Sequence, residues 1–189
     1  MSHSGRRDLL LLLLTVGREG KLSRGLGGIT RLQKYLFLLE NEEGLHPEGE
    51  GFDFTPYKAG PYSSKLYDDV EFLENLGLIK SDVVGEATDA EAEELTFEEL
   101  IEDSIPGPTA PSDALEERRF ALTEKGMKRV EGLLANEENA AAVEGIRRIK
   151  SRFGSHSLHD LLRYVYTKYP KMTVESEIRD QVLGRGRRR

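Results

Sequence analysis

The residues that could do chemistry are few and poorly grouped. His156 and His159 stand three apart in HSLH, near enough on a helical turn to share a metal. A protein zinc site needs three or four ligands, and no Cys or clear carboxylate partner completes this one. His3 and His46 are isolated. The chain has no Cys, which removes disulfides, thiolate–metal sites and a thiol nucleophile together. Asp68 and Asp69 form a carboxylate pair, but adjacent residues point to different helical faces. Their surroundings are acidic, with no sign of a raised pKa. Ser63, Ser64, Ser155 and Ser157 all have helix-capping roles open to them, and no Ser-His-Asp set is legible. The expectation is a protein that is not an enzyme and needs neither cofactor nor metal.

One stretch remains unusual. Residues 54–63 read FTPYKAGPYS. A phosphate-gripping loop needs a run of free backbone N–H groups at a helix N-terminus, usually with several glycines. Here Pro56 and Pro61 lack that N–H, and Gly60 is the single glycine. The stretch reads as a stiff corner in which Tyr57 and Tyr62 pack their rings. A rigid aromatic corner can also present a binding surface, because Tyr gives contact area at low entropic cost. Tyr57, Lys58 and Tyr62 are therefore candidates for contact with a protein partner, as are Asp68 and Asp69 on the acidic segment that follows.

The elements around this corner follow from periodicity. Leu9 to Leu14 is an unbroken leucine run, far short of the ~20 residues a membrane span needs. Arg6 and Arg7 precede it as in a signal peptide, but GREGKLSRG follows where small cleavage-site residues should lie. A buried helix over 6–16 is expected, in a soluble cytoplasmic protein with no membrane attachment. TRLQ at 30–33 fits a capping box for a second helix carrying Leu32, Leu36 and Leu39. Ser63 or Ser64 is expected to cap a third helix, with Leu66, Val70, Leu73 and Leu76 on one face and Gly77 ending it. A strand near 78–84 follows.

The net charge of −7 conceals a division. Residues 86–117 carry 12 acidic groups and no Lys or Arg, whereas 118–189 carry 17 basic and 9 acidic groups. Low hydrophobicity and one charge sign predict a mobile loop at 86–117, with a weak helix at 95–103. RRFALTEKG at 118–126 predicts a strand running into a helix capped by Thr123. Helices are expected at about 139–153 and 157–169, and Thr173 is placed to cap a last short one. The chain ends in GRGRRR.

A helix ending in LGLI, a hairpin, and then LTEKG resembles the winged-helix pattern, with 86–117 as the wing tip. GITRLQKYLF at 28–37, the FTPYKAGPYS corner, KLYDD at 65–69 and GLI at 77–79 together resemble the SocA-like antitoxin domain, also called Panacea, and its YwgA-type relatives. The likeness covers roughly residues 29–80, less than half the chain. It implies a helical domain used to neutralise or regulate another protein.

The expected fold is mainly α with a small β-hairpin: a winged-helix-like domain at 1–135 and a helical extension at 136–189. The expected function is a protein-interaction module of antitoxin or regulator type. The alternative is a DNA-binding regulator. The third helix is acidic and would be repelled by phosphates, so this reading places contacts on Arg147, Arg148, Lys150 and Arg152 and on the tail Arg185, Arg187, Arg188 and Arg189. The C-terminal helices also offer a route to a homodimer, since winged-helix domains often pair through added helices.

Overall fold

Six consecutive leucines make a helix with no polar face, and such a helix must lie inside the protein. In the computed structural model, which describes residues 5–17, 26–47, 49–83 and 118–184, all six are buried. The elements in chain order are α1 (Arg6–Thr15), β1 (Leu26–Gly27), α2 (Ile29–Glu42), β2 (Thr55–Tyr57), β3 (Gly60–Tyr62), α3 (Ser64–Asn75), β4 (Ile79–Val83) and β5 (Arg118–Leu122). Then come α4 (Glu124–Ala135), α5 (Ala140–Phe153), α6 (Leu158–Lys168) and α7 (Arg179–Val182), with 3-10 turns at Glu137–Asn139 and Pro170–Thr173. The fold is mainly α, as expected. The acidic 86–117 stretch, with the helix expected at 95–103, lies outside the described residues.

Helix α1 is surrounded by α3, α4, α5 and β5. Each fully buried leucine contributes about 1.5–3 kcal/mol relative to exposure. Its polar N-terminal turn reaches outward: Asp8 accepts from Arg129 of α4 at 2.8 Å. Helices α5 and α6, expected as an extension, pack on α1 and α2, and apolar side chains on both sides of residue 135 form one buried cluster.

The three-stranded sheet has the order β1-β5-β4, antiparallel throughout. Strands β4 and β5 pair from Ile79 against Leu122 to Val83 against Arg118. Both ends of this hairpin are set by legible signals. Gly77 adopts φ +64° after α3, and the N–H groups of Gly77 and Leu78 bond back to Glu74 O at 2.8 Å and Leu73 O at 2.9 Å. This is the paired C-terminal bond pattern that a positive-φ glycine permits. Thr123 caps α4 by accepting from Gly126 N at 3.1 Å, and its own N–H donates to Leu78 O at 3.0 Å. Ser157 caps α6 in the same way through Asp160 N.

Three expected caps are not made. Thr30 lies inside α2, whose N-cap is Gly28 with no side-chain bond, so the 30–33 capping box does not form. Ser63 occupies the N-cap position of α3 but donates its hydroxyl to Phe52 O instead. Thr173 closes a 3-10 turn by donating to Pro170 O at 2.9 Å, and the last α-helix starts only at Arg179. For Ser63 and Thr173 a tertiary or tighter local acceptor outcompetes the free helix-end donors, whereas the Thr30 hydroxyl is buried inside α2 with no hydrogen-bond partner.

Gly126 is where α4 crosses the start of β4. A Cβ built there would lie 2.0 Å from the backbone oxygen of Leu78. Gly126→Ala must push helix from strand, and overpacking of this kind costs about 1–3 kcal/mol. A melting temperature several degrees below wild type is expected in thermal unfolding; an unchanged midpoint would contradict this packing.

Candidate functional site at the proline hairpin

The FTPYKAGPYS stretch is a tight antiparallel hairpin. Thr55 pairs with Tyr62, Pro56 with Pro61 and Tyr57 with Gly60, leaving Lys58 and Ala59 as the turn. Hydrogen-bonded and non-hydrogen-bonded pairs alternate along such a ladder, and the pair closing a two-residue turn is a bonded one. The facing prolines therefore occupy the pair that asks for no N–H, which is where proline is tolerated in a strand. Their carbonyls point outward and remain available to other elements.

Helix α2 takes up that offer. Lys34 donates to Pro61 O at 2.9 Å. Gln33 bonds Ser63 twice: its Oε1 accepts from Ser63 N at 2.9 Å and its Nε2 donates to Ser63 O at 3.1 Å. All three side chains are buried. The C-terminal segment closes the other side. Gly60 has φ +84°, and a Cβ there would come within 2.8 Å of the Tyr166 ring. Lys58 O accepts from Glu177 N at 3.0 Å, and Lys58 Nζ pairs with Glu177 at 3.1 Å. Lys58, expected to meet a partner, is thus half-buried and already paired.

The outward face of this frame is aromatic. Tyr57 and Tyr62 lie with ring centroids 4.9 Å apart, and Tyr62 and Tyr67 of α3 lie 5.7 Å apart. All three are half-buried, while Asp68 beside them is exposed. Partial burial, with smaller contributions from Tyr57 and the Asp68 charge, raises the Tyr62 phenol above its ordinary value. The ring keeps its proton and can donate a hydrogen bond. Beneath Tyr57 and Tyr62 is a cavity of about 10 Å³, also lined by Thr30, Gln33 and Lys34. That is room for one water molecule. Thr30 Oγ1 is the one buried side-chain polar atom among the described residues with no hydrogen-bond partner.

Tyr67, Thr30, Gln33 and Lys34 were not among the candidates from sequence. A signal for the last three existed. Residues at i, i+3 and i+4 share a helical face, so Thr30, Gln33 and Lys34 form a polar stripe that leads into the apolar run at 35–39.

Asp69 belongs elsewhere, and its expected contact with a partner is corrected. It is fully buried, accepting from Arg6 Nε at 2.8 Å and from Arg7 Nε at 2.9 Å. Two guanidiniums satisfy it, so it ties α3 to α1 and offers no surface.

The α5 cations are also engaged. Arg148 pairs with Glu43 at 2.7 Å, Arg147 with Glu144 at 3.3 Å, and Arg152 with Glu42 at 2.9 Å. Lys150 is buried, which pushes its ammonium down to about 8 and places it out of reach of a phosphate backbone. Glu42 also accepts from Tyr164 at 2.7 Å, Lys168 at 2.8 Å and Tyr169 at 3.2 Å. Burial alone would raise the Glu42 carboxyl, but bonds from Lys168 and the two tyrosines outweigh it and lower it. The tail Arg185, Arg187, Arg188 and Arg189 lies outside the described residues.

No protein-family model matches the chain, and no curated protein matches it either. The frame's own chemistry supplies the test. Burial pushes Lys34 down to about 7, whereas an unfolded lysine titrates near about 10.4. Between these values the unfolded chain holds a proton that the folded chain has released, so stability rises with pH across that window. Lys150 acts in the same direction. Tyr166, pushed up to about 12 by burial, leaves the native state protonated throughout. Denaturant unfolding between pH ~7 and ~9.5 should show a steeper rise for wild type than for Lys34→Met, by at most about 1.4 kcal/mol per pH unit. Parallel slopes would mean that Lys34 is not buried as described.

Proposed function

We propose that this chain is a non-enzymatic protein-interaction module of antitoxin or regulator type, and that a protein partner docks on the face made by Tyr57, Tyr62 and Tyr67, with Asp68 at its edge. The observation that carries this reading is the close packing of three half-buried tyrosines, two of them on a hairpin whose backbone is held from both sides and the third on α3. Association is penalised by the ordering of side chains and loops, and a face already ordered avoids most of that penalty. Tyrosine is also the residue type most suited to such a face, with large area, few rotamers and a polar tip. The order of α1, β1, α2, α3, β4 and β5, with the sheet order β1-β5-β4, supports the winged-helix-like part of the reading. The nucleic-acid alternative is weaker, because the α5 arginines are shared with carboxylates of the same chain.

The test is recovery of tagged chain from its source cells after nuclease and at moderate salt, beside a Tyr57→Ala, Tyr62→Ala variant. Wild type should bring down one protein in stoichiometric amount. The double variant should lose it, with binding at least roughly a hundredfold weaker if both rings are central contacts. Retention by the variant, or nucleic acid that leaves with salt and no protein companion, would refute the reading.

A further inference from the structure

The polar stripe at the start of α2 borders a small space with two polar demands on it. The cavity beneath Tyr57 and Tyr62 measures about 10 Å³, with Thr30 and Lys34 in its wall on the helix side and Gly60 and Pro61 on the hairpin side. Thr30 and Lys34 stand four residues apart, one turn along the same face. Both are almost fully buried, at 3% and 2% exposure. Thr30 Oγ1 has no hydrogen-bond partner among the described residues. An ammonium has three N–H donors, and Pro61 O takes one of those on Lys34, the one acceptor it meets among the described residues. Burial is the sole cause of its weakened hold on the proton, so no carboxylate of the described residues offsets the charge.

We propose that this cavity binds a single water molecule as a fixed part of the hairpin frame, the water accepting from Lys34 Nζ and donating to Thr30 Oγ1. Three features select water. The volume is about that of one water-sized sphere. A chloride ion would answer the charge of the ammonium, but it is larger than water. The helix-side wall is polar, whereas cavities that stay dry are apolar. Water also both donates and accepts, so it can serve a donor and a hydroxyl at once. A buried water makes about three hydrogen bonds. Gln33, also in the lining, supplies a third possibility: its Oε1 keeps one lone pair after accepting from Ser63 N. The water gives the ammonium a second acceptor where no protein atom reaches, and so shares the task of holding α2 to the hairpin. It belongs to the free chain, and stands whether or not the tyrosine face meets a partner.

The test joins a high-resolution crystal structure of the full-length chain to unfolding of variants. Density for one water should lie about 2.7–3.2 Å from both Lys34 Nζ and Thr30 Oγ1. Data collected at long wavelength from crystals grown in chloride should show no anomalous signal there, since chloride gives one and water does not. Thr30→Val keeps the shape of the side chain and removes the hydroxyl. With the water in place, its folding equilibrium constant should fall by roughly tenfold. In a Lys34→Met background the same change should have little effect, because the bridge is already broken. Oxygen-17 relaxation dispersion should lose about one long-lived water between wild type and Thr30→Val. A dry cavity or a halide in the crystal overturns the proposal. So does a Thr30→Val chain as stable as wild type or more stable, because valine would then have removed only an unbonded hydroxyl that was costly to bury. Equal losses in both backgrounds overturn it as well, since Thr30 and Lys34 would then share no water. If a variant fails to fold, the wild-type crystal decides alone.

Discussion

Gln33 reaches from α2 to the residue that starts α3 and bonds it with both ends of its amide. One residue along, Lys34 holds the carbonyl of Pro61. Most other features of the candidate site depend on these three bonds. They close the span between two helices that are separated in sequence by the whole hairpin, and they do so in a buried setting. Broken, they would leave several polar groups unsatisfied, at about 1–3 kcal/mol each. A buried ammonium with one identified acceptor is costly in itself, which is why its proton is held so weakly. The arrangement trades stability near neutral pH for a hairpin with one backbone conformation. The prolines make the trade workable: they occupy the pair that needs no N–H, and they turn a carbonyl toward Lys34.

The C-terminal helices complete the frame. Tyr166 fills the space that a glycine without Cβ leaves at position 60, and its hydroxyl lies 2.8 Å from the Ser176 Oγ. Glu177 pins the turn through both its backbone and its side chain. At the far end of α2, Glu42 gathers Arg152, Lys168, Tyr164 and Tyr169, fixing α5 and α6 to the helix that carries Gln33 and Lys34. So Arg148 and Arg152 of α5, which look like part of a nucleic-acid surface in sequence, act as fasteners. A charge cluster reads the same way in a sequence whether its counter-ions are phosphates or glutamates a hundred residues upstream.

That ambiguity marks the limit of what was legible. Features set within a few residues were readable: the leucine helix, the positive-φ turn at Gly77, and the caps at Thr123 and Ser157. So was the position of the corner, which Pro56 and Pro61 mark in the sequence. Ser63 and Thr173 escape the local pattern because a hydroxyl near a helix start has more than one available partner, and distant or tighter ones won; Thr30 escapes it because α2 starts before it and buries its hydroxyl without a partner. Asp69 looked exposed because its neighbours on α3 are. Its two arginines lie some 60 residues away, and no local pattern announces them. Lys34 was hidden differently. Its polar stripe was visible, but the carbonyl it serves exists only once the hairpin has folded.

The central claim is that the hairpin is built before any partner arrives. Amide hydrogen exchange at Ser63, whose N–H donates to Gln33 Oε1, tests it most directly. If the frame is rigid, this amide should exchange only through global unfolding, in step with the core amides of α2 and with the same denaturant dependence. Exchange orders of magnitude faster, and insensitive to denaturant, would show that the hairpin opens on its own. The tyrosine face would then not be preorganised.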